Sequence, residues 1–149
     1  MARVDFKMPE EFLLKVSRLA EQTDVIIPKV LEAGGSVVLE KVKSNLASVI
    51  GKGTKTESRS TGELFSALGV TDARQDRDGN YNVKVGFAEP RSDARSPGGG
   101  VSNAKIAAVL EYGKHGQPAK PFLKPAKSTS RKACIAAMTA KLDEEIEGL

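Results

Sequence analysis

Between Asp24 and Ile50 the apolar residues recur at intervals of three, four or seven. Val30 pairs with Val37 in this way, and Leu31 with Val38, Val42, Leu46 and Val49. That spacing draws them into one stripe along an amphipathic α-helix. Whatever else the chain forms has to cover this stripe. Pro28 is tolerable only near the start of such a helix, where a missing N–H costs nothing. Gly34 and Gly35 sit inside it, each costing about 1 kcal/mol relative to alanine. Either another backbone approaches closely there, or the helix kinks.

The flanking patterns are shorter. Pro9 suits the first turn of a preceding helix, Glu10 and Glu11 favour its positive end, and Phe12, Val16 and Leu19 follow at helical spacing. After the long helix, residues 51–60 (GKGTKTESRS) read as a mobile polar loop. It closes on Ser60-Thr61-Gly62-Glu63, a capping-box pattern with Ser60 as the expected cap of a short helix. Leu64, Phe65 and Leu68 are that helix's apolar face, and Gly69 is its expected stop. Tyr81, Val83, Val85 and Phe87 alternate as in a half-buried strand. Asp78-Gly79-Asn80 before them predicts a hairpin with residues 70–76.

A second mobile loop is expected over 88–103, with Pro97 and three consecutive glycines. Ser102 or Asn103 can then cap a helix carrying Ile106, Val109 and Leu110 and ending at Gly113. From about Ser128 a last helix places Ile135, Met138, Leu142 and Ile146 on one stripe. The order helix, helix, short helix, hairpin, helix, helix predicts an α+β fold, not a parallel α/β one. At 149 residues the chain is expected to form a single domain, 1–149.

The charge is unevenly spread. No acidic residue occurs from Tyr112 to Leu142, while Lys114, Lys120, Lys124, Lys127, Arg131, Lys132 and Lys141 all do. Asp143, Glu144, Glu145 and Glu147 then reverse the sign, and the first forty residues lean acidic. Such blocks are either solvated helix faces or complementary surfaces toward a neighbouring subunit or DNA. Together with Lys52, Lys55 and Arg59 of the first loop, the cations Lys114, Lys120, Lys124, Lys127, Arg131 and Lys132 are the candidate contacts for a partner or for DNA phosphates. Low aromatic content, 5% with no Trp, leaves few stacking residues for single-stranded nucleic acid. No apolar run approaches the roughly 20 residues of a membrane span, so no membrane partner is expected. The N-terminus is charged almost from its start and lacks a signal-peptide core, so the protein is expected to stay in the compartment where it is made.

Candidates for chemistry are few. His115 and Cys134 are the only members of their types, and a Cys–His nucleophile would need them in contact with an orienting group. A small buried thiol and an exposed imidazole are the ordinary expectations for an Ala-rich helix and a basic loop. A zinc site lacks ligands. Gly51-Lys52-Gly53-Thr54 fails as a phosphate loop, with Leu46 and Gly53 where glycine and Ser/Thr are required. Asp76, Asp78 and Asn80 begin like a calcium loop, but Tyr81 and Phe87 occupy the positions of its glycine and its glutamate. No catalytic, cofactor-binding or metal residue is assigned, and no cofactor is expected.

Four elements taken together carry a resemblance. Gly62-Glu63-Leu64 follows the long helix, and Val85-Gly86-Phe87 closes the hairpin. An aliphatic helix ends in Glu111-Tyr112-Gly113, and Pro121-Phe122-Leu123-Lys124-Pro125-Ala126 introduces the last one. Over roughly residues 10–147 this resembles the HK-ninety-seven gene-product-ten family, small neck or tail-completion proteins of long-tailed phages and prophages. Lys114 stands where the family often has Thr or Ser.

The resemblance implies a small antiparallel sheet packed by helices, as in other phage tail-end proteins, and a non-enzymatic structural role. It also implies a homo-oligomeric ring at the head–tail junction or tail end, with neighbouring head-connector or tail proteins as partners. The chain would then be made in the bacterial host cytoplasm and end in the neck or tail of the virion. A sequence-independent DNA-binding accessory protein acting through residues 114–141 is the alternative.

The stretch 111–126 has its own physical reading as an elbow, with Glu111, Tyr112, Gly113, Pro121, Phe122, Leu123 and Pro125 as its structural residues. Gly113 and Gly116 can take positive φ, and the prolines hold their predecessors extended. Phe122, Leu123 or both should anchor in the core, and Pro125 suits the first turn of the last helix.

Overall fold

The long stripe becomes α2 (Thr23–Val49), a helix of 27 residues and about 40 Å at 1.5 Å per residue. In this computed structural model, which describes residues 9–53, 62–89 and 102–149, most of the other elements pack against α2. Ahead of it lies α1 (Glu10–Glu21), joined through the single residue Gln22. After it come α3 (Glu63–Ala67), β1 (Leu68–Val70), β2 (Arg74–Gln75), β3 (Tyr81–Asn82), β4 (Val85–Phe87), α4 (Asn103–Tyr112) and α5 (Leu123–Glu147). This is the expected α+β arrangement, a small antiparallel sheet against long helices.

α5 lies antiparallel along α2. Lys29, near the start of α2, pairs with Glu145 at 2.9 Å, while Asn45, near its end, donates to the Phe122 carbonyl at 3.2 Å. Between these ties the seam is thinned by the two glycines. A Cβ on Gly34 would stand 2.6 Å from Met138 Cγ and 3.1 Å from Cys134 Sγ; one on Gly35 would stand 2.9 Å from Val70 Cγ2. The close approach is therefore made by side chains of α5 on one side and of the hairpin on the other, not by a backbone.

The hairpin has two paired segments. β1 pairs with β4, Leu68 opposite Phe87, and β2 pairs with β3, Gln75 opposite Tyr81. At the break between them Thr71 and Lys84 still bond, N to O at 2.9 Å and Oγ1 from N at 3.0 Å. Gly79 takes φ +84° in the turn, and the Asp76 carboxylate accepts from the amides of Asp78 and Asn80, both at 2.9 Å. The Asn80 amide foremost holds the Asp76 carboxyl below the usual carboxylate range. The tip is tied to α2 by the Tyr81 hydroxyl, which donates to Asp24 at 2.8 Å.

Several boundaries differ from the sequence reading. The first strand begins at Leu68, so Gly69 is no helix stop but a strand residue facing Gly86. Packing of Leu68 against the core wins over the local stop signal. α3 starts directly after Gly62 at φ +79°, while the expected cap Ser60 lies outside the described residues. Of the two loop expectations, 54–60 and 90–101 lie outside them as well. α5 begins at Leu123, a turn and a half before the expected Ser128. Its apolar stripe is only partly covered: Met138 lies against Gly34 in the seam and Ile146 is half-buried, but Ile135 is 53% exposed and Leu142 37%, and the fully buried positions of α5 are Ala126 and Ser130. Small residues at those positions, and Gly34 opposite Met138, allow α5 to lie close to α2.

The core gathers at the C-terminal end of α2. Val42, Leu46, Leu64, Leu68, Ala107, Phe122 and Ala126 form one buried cluster, with Val38, Val85, Phe87 and Leu110 packed around it. Five of these seven side chains precede the stretch 111–126 and the other two, Phe122 and Ala126, lie within it, so the path of that stretch decides whether the core closes.

Candidate functional site

The stretch 111–126 is positioned from α4 outward. Ser102 caps α4, its hydroxyl accepting from the Lys105 amide at 3.1 Å, and Glu89 accepts from the Ala104 amide at 2.8 Å. Asn103 is 1% exposed and donates to the Ala88 carbonyl at 2.7 Å, fixing the start of α4 to the end of β4. Ten residues later Gly113 ends the helix at φ +77°, ψ 177°, a region essentially open to glycine alone. A Cβ there would also meet Ala119 N at 2.8 Å and Gln117 O at 2.9 Å. The chain then doubles back on itself. Lys114 and Gln117 exchange both backbone bonds, at 3.0 and 2.9 Å, around His115 and Gly116. Gly116 has φ +77° and His115 does not, as a type II turn requires.

Doubling back brings the chain to Phe122, which is 0% exposed. Its ring meets that of Phe87 edge to face, centroids 6.2 Å apart at 71°, a favourable aromatic geometry. Its backbone is held from both sides. Asn45 donates to its carbonyl, and its N–H donates to Glu111 Oε2 at 2.8 Å. The same oxygen accepts from the Leu123 amide at 2.8 Å, and Oε1 accepts from the Lys124 amide at 2.9 Å. The next residue is Pro125, which has no N–H to satisfy. One carboxylate from the last turn of α4 thus meets all the free donors in the first turn of α5.

The electrostatics follow from that geometry. Burial alone would raise the Glu111 pKa, since it is 5% exposed. The three backbone donors and the nearby Lys124 charge outweigh burial and hold it below the usual glutamate range. An anion against the positive end of α5 is also favoured by the helix dipole. In its own helix the same charge sits at the unfavourable end. That misplacement is the one sequence signal that could have shown Glu111 to serve a different helix. Asn45 and Asn103 carried no signal of this kind, because each is explained only by a carbonyl brought to it by the fold.

The remaining elbow residues divide between core and surface. Leu123 is half-buried against the core, Pro121 and Pro125 are exposed, and Tyr112 is 80% exposed. Of the candidate cations, Lys55 and Arg59 lie outside the described residues. Lys52, Lys114, Lys124, Lys127, Arg131 and Lys132 are exposed. Lys120 is turned inward: its ammonium donates to the Lys52 carbonyl just beyond α2, and its amide to the Leu110 carbonyl at 2.7 Å. It closes the elbow against α2 and, among the described cations of the set, is the least available to a partner.

His115 is exposed on the turn, whereas Cys134 lies in the α2–α5 seam with its sulfur 3.9 Å from Met138 Sδ. Among the described residues no group of three or more His, Cys, Asp or Glu is placed to hold a metal ion. No helix among them is long and apolar enough to cross a membrane.

Comparison with known proteins identifies a family. The family model described as "Bacteriophage HK97-gp10, putative tail-component" matches residues 10–113. The chain belongs to this family. The matched span runs from the first residue of α1 to Gly113 at the end of α4. It stops short of the resemblance drawn over 10–147, and leaves Phe122 and α5 outside it. Glu111 is inside the match and its three backbone donors are outside it, so the matched segment carries the group that fixes the unmatched one. No curated protein and no solved structure matches the chain.

Proposed function

We propose that this tail-component family member is a structural, non-enzymatic part of a phage or prophage tail, assembled by subunit contact into a ring at the head–tail junction or tail end. The observation that carries the reading is the family match across α1 to α4. The geometry of the elbow fits it. Glu111, Gly113 and Phe122 are all engaged in setting α5 against α2, while the described cations other than Lys120 stay on the outside. Deletion of the gene from an inducible host tests the proposal. Tailless heads and free tails are the expected products, and intact infectious particles would overturn it. Gold-labelled antibody against the chain should decorate the junction or the tail end in purified particles.

A second reading rests on the exposed cations of α5, Lys124, Lys127, Arg131 and Lys132, which can meet phosphates irrespective of sequence. It predicts DNA binding that weakens steeply with salt. Lack of retention of a duplex fragment at low ionic strength would remove it.

A further inference from the structure

α5 carries its charges at the wrong ends. A helix is steadied by carboxylates near its first turn and cations near its last. α1 obeys this, with Glu10 and Glu11 at one end and Arg18 at the other. α5 reverses it: its first turn has no acidic residue and its last turn no basic one. Lys124, Lys127, Arg131 and Lys132 crowd its N-terminal half, and Asp143, Glu144 and Glu147 its C-terminal end, all exposed. Neighbours of like sign, Lys127 with Arg131 and Asp143 with Glu147, stand four residues apart, which weakens each end further.

The fold enlarges this separation. α2 and α5 run antiparallel, so the acidic end of α5 shares one end of the molecule with Glu21 and Asp24, and its basic end shares the other with Lys41 and Lys43. Every ion pair among the described residues is at the acidic end: Lys29–Glu145 at 2.9 Å, Lys141–Glu144 at 3.2 Å and Lys141–Glu145 at 3.3 Å. Lys124, Lys127, Arg131, Lys132, Asp143 and Glu147 take part in none of them. Each of the three segments outside the described residues carries two basic side chains and one acidic one. None of them therefore brings the net negative charge that would cover the basic end.

We propose that the basic end of α5 docks on the acidic end of α5 in a second copy of this chain. Charges that weaken their own helix and find no partner within the chain are accounted for by one outside it, and the same helix carries both halves of the match. DNA would satisfy the cations alone, and its phosphates would be repelled by the carboxylates of the other end. The contact is head-to-tail. Asp143 and Glu147 lie sixteen residues beyond Lys127 and Arg131, about 24 Å along α5 and nearly half a turn round it. A two-fold pairing through one shared face cannot use both sets, whereas a head-to-tail contact uses both in every copy and can close a ring. The inference rests on the ring reading and names the surfaces that would build it.

The test applies a carbodiimide, which joins touching amine and carboxylate side chains directly, to concentrated purified chain at low salt and, separately, to assembled particles. The expected result is a link from Lys124, Lys127 or Lys132 to Asp143, Glu144 or Glu147, located by mass spectrometry. Within one copy these groups stand too far apart along the helix to be joined, so the link reports on two copies. Lys127→Glu with Arg131→Glu should lower its yield at least about tenfold, and Asp143→Lys with Glu147→Lys should do the same. Mixed together under different tags, the two variants should recover a covalent dimer carrying both tags, since each supplies the end that the other lacks. Neither pair should lower the melting temperature of the isolated chain, because both move charge the way the helix dipole favours. If one does, Lys127→Gln with Arg131→Gln, which removes charge without reversing it, should still lower the yield severalfold.

Absence of the link under both conditions overturns the inference. So does a yield indifferent to either reversal, or a mixture of the two variants that recovers no dimer. Retention of duplex DNA by a chain that forms no link would assign the basic end to phosphates and overturn it as well. Purified particles are probed in parallel for the chain itself. Chain present in particles without the link sinks this inference alone, while a link in purified protein without incorporation into particles sinks the tail assignment.

Discussion

α1 and α5 both begin beside a proline and both carry an apolar stripe, yet the molecule treats them in opposite ways. α5 is fixed at its first turn by a buried carboxylate, a buried phenyl ring and an asparagine from α2. α1 has acidic residues placed correctly for its dipole and the more pronounced two-sidedness, and buries nothing. Amphipathic pattern makes a helix; it does not decide what covers it. The placement of α5 comes from a few satisfied polar groups around Phe122 together with small residues along the seam. Among the described residues no such buried polar groups hold the first helix, and its apolar side chains stay exposed.

The sharpest way to break this contrast is Phe122→Ala. Removing a fully buried ring from the centre of the core should cost about 3–5 kcal/mol. Urea unfolding would measure it, and hydrogen exchange should show the first turns of α5 losing protection before α2 does. A loss under 1 kcal/mol would mean that α5 is held elsewhere.

Glu111→Gln keeps the shape of the clamp but leaves one amide N–H facing a backbone donor. A cost of about 2–3 kcal/mol is expected. The sign of the pH dependence follows from the lowered pKa. A carboxyl depressed in the folded state contributes stability that is complete above the ordinary glutamate range and lost as pH falls through the folded value. The wild-type stability should therefore fall below that range more steeply than the variant's, and parallel acid limbs in the two proteins would contradict the clamp.

Gly113→Ala should cost about 2 kcal/mol, since the backbone conformation is glycine-only and the added methyl meets Ala119 N at 2.8 Å. Gly116→Ala offers the control: nothing lies within 4 Å of its added Cβ, so only the positive φ opposes it. Equal melting temperatures for the two variants would show that the close approach is relieved by a small shift. At the small end, Val16→Glu on α1 should change the stability of the isolated chain by no more than about 0.5 kcal/mol. A large loss there would show that α1 is already covered within its own chain.

How far the fold was legible in the sequence differs from element to element, for physical reasons. α2 was readable because its stripe is long and buried on one side; the Asp-Gly-Asn turn because Gly79 supplies the positive φ its geometry needs. The stripe on α5 was only half informative: Met138 fills the space over Gly34 and Ile146 is half-buried, while Ile135 and Leu142 obey the same periodicity yet stay exposed, and the buried positions are Ala126 and Ser130. Gly69 misled because a strand partner, Gly86, lies 17 residues away in sequence and local rules cannot see it. In the candidate site, motif resemblance selected Glu111 and Phe122 by position without revealing their bond. A carboxylate's choice of three amides eleven to thirteen residues onward is a tertiary fact. The exposed cations were readable as charge, but the inward turn of Lys120 was not.

The paired glycines of α2 have a consequence for how this sequence can change over time. Gly34 faces Met138, a pliable side chain, whereas Gly35 faces Val70, whose branched Cβ allows it little adjustment. Position 34 can accept alanine if Met138 shifts or shortens, gaining the helix preference that glycine forgoes. Position 35 can do so only if Val70 on the hairpin becomes smaller. Variation at these two neighbours should therefore be inherited in separate couples, 34 with 138 and 35 with 70. A lineage that alters one helix position without its distant mate would be expected to widen the waist of the molecule.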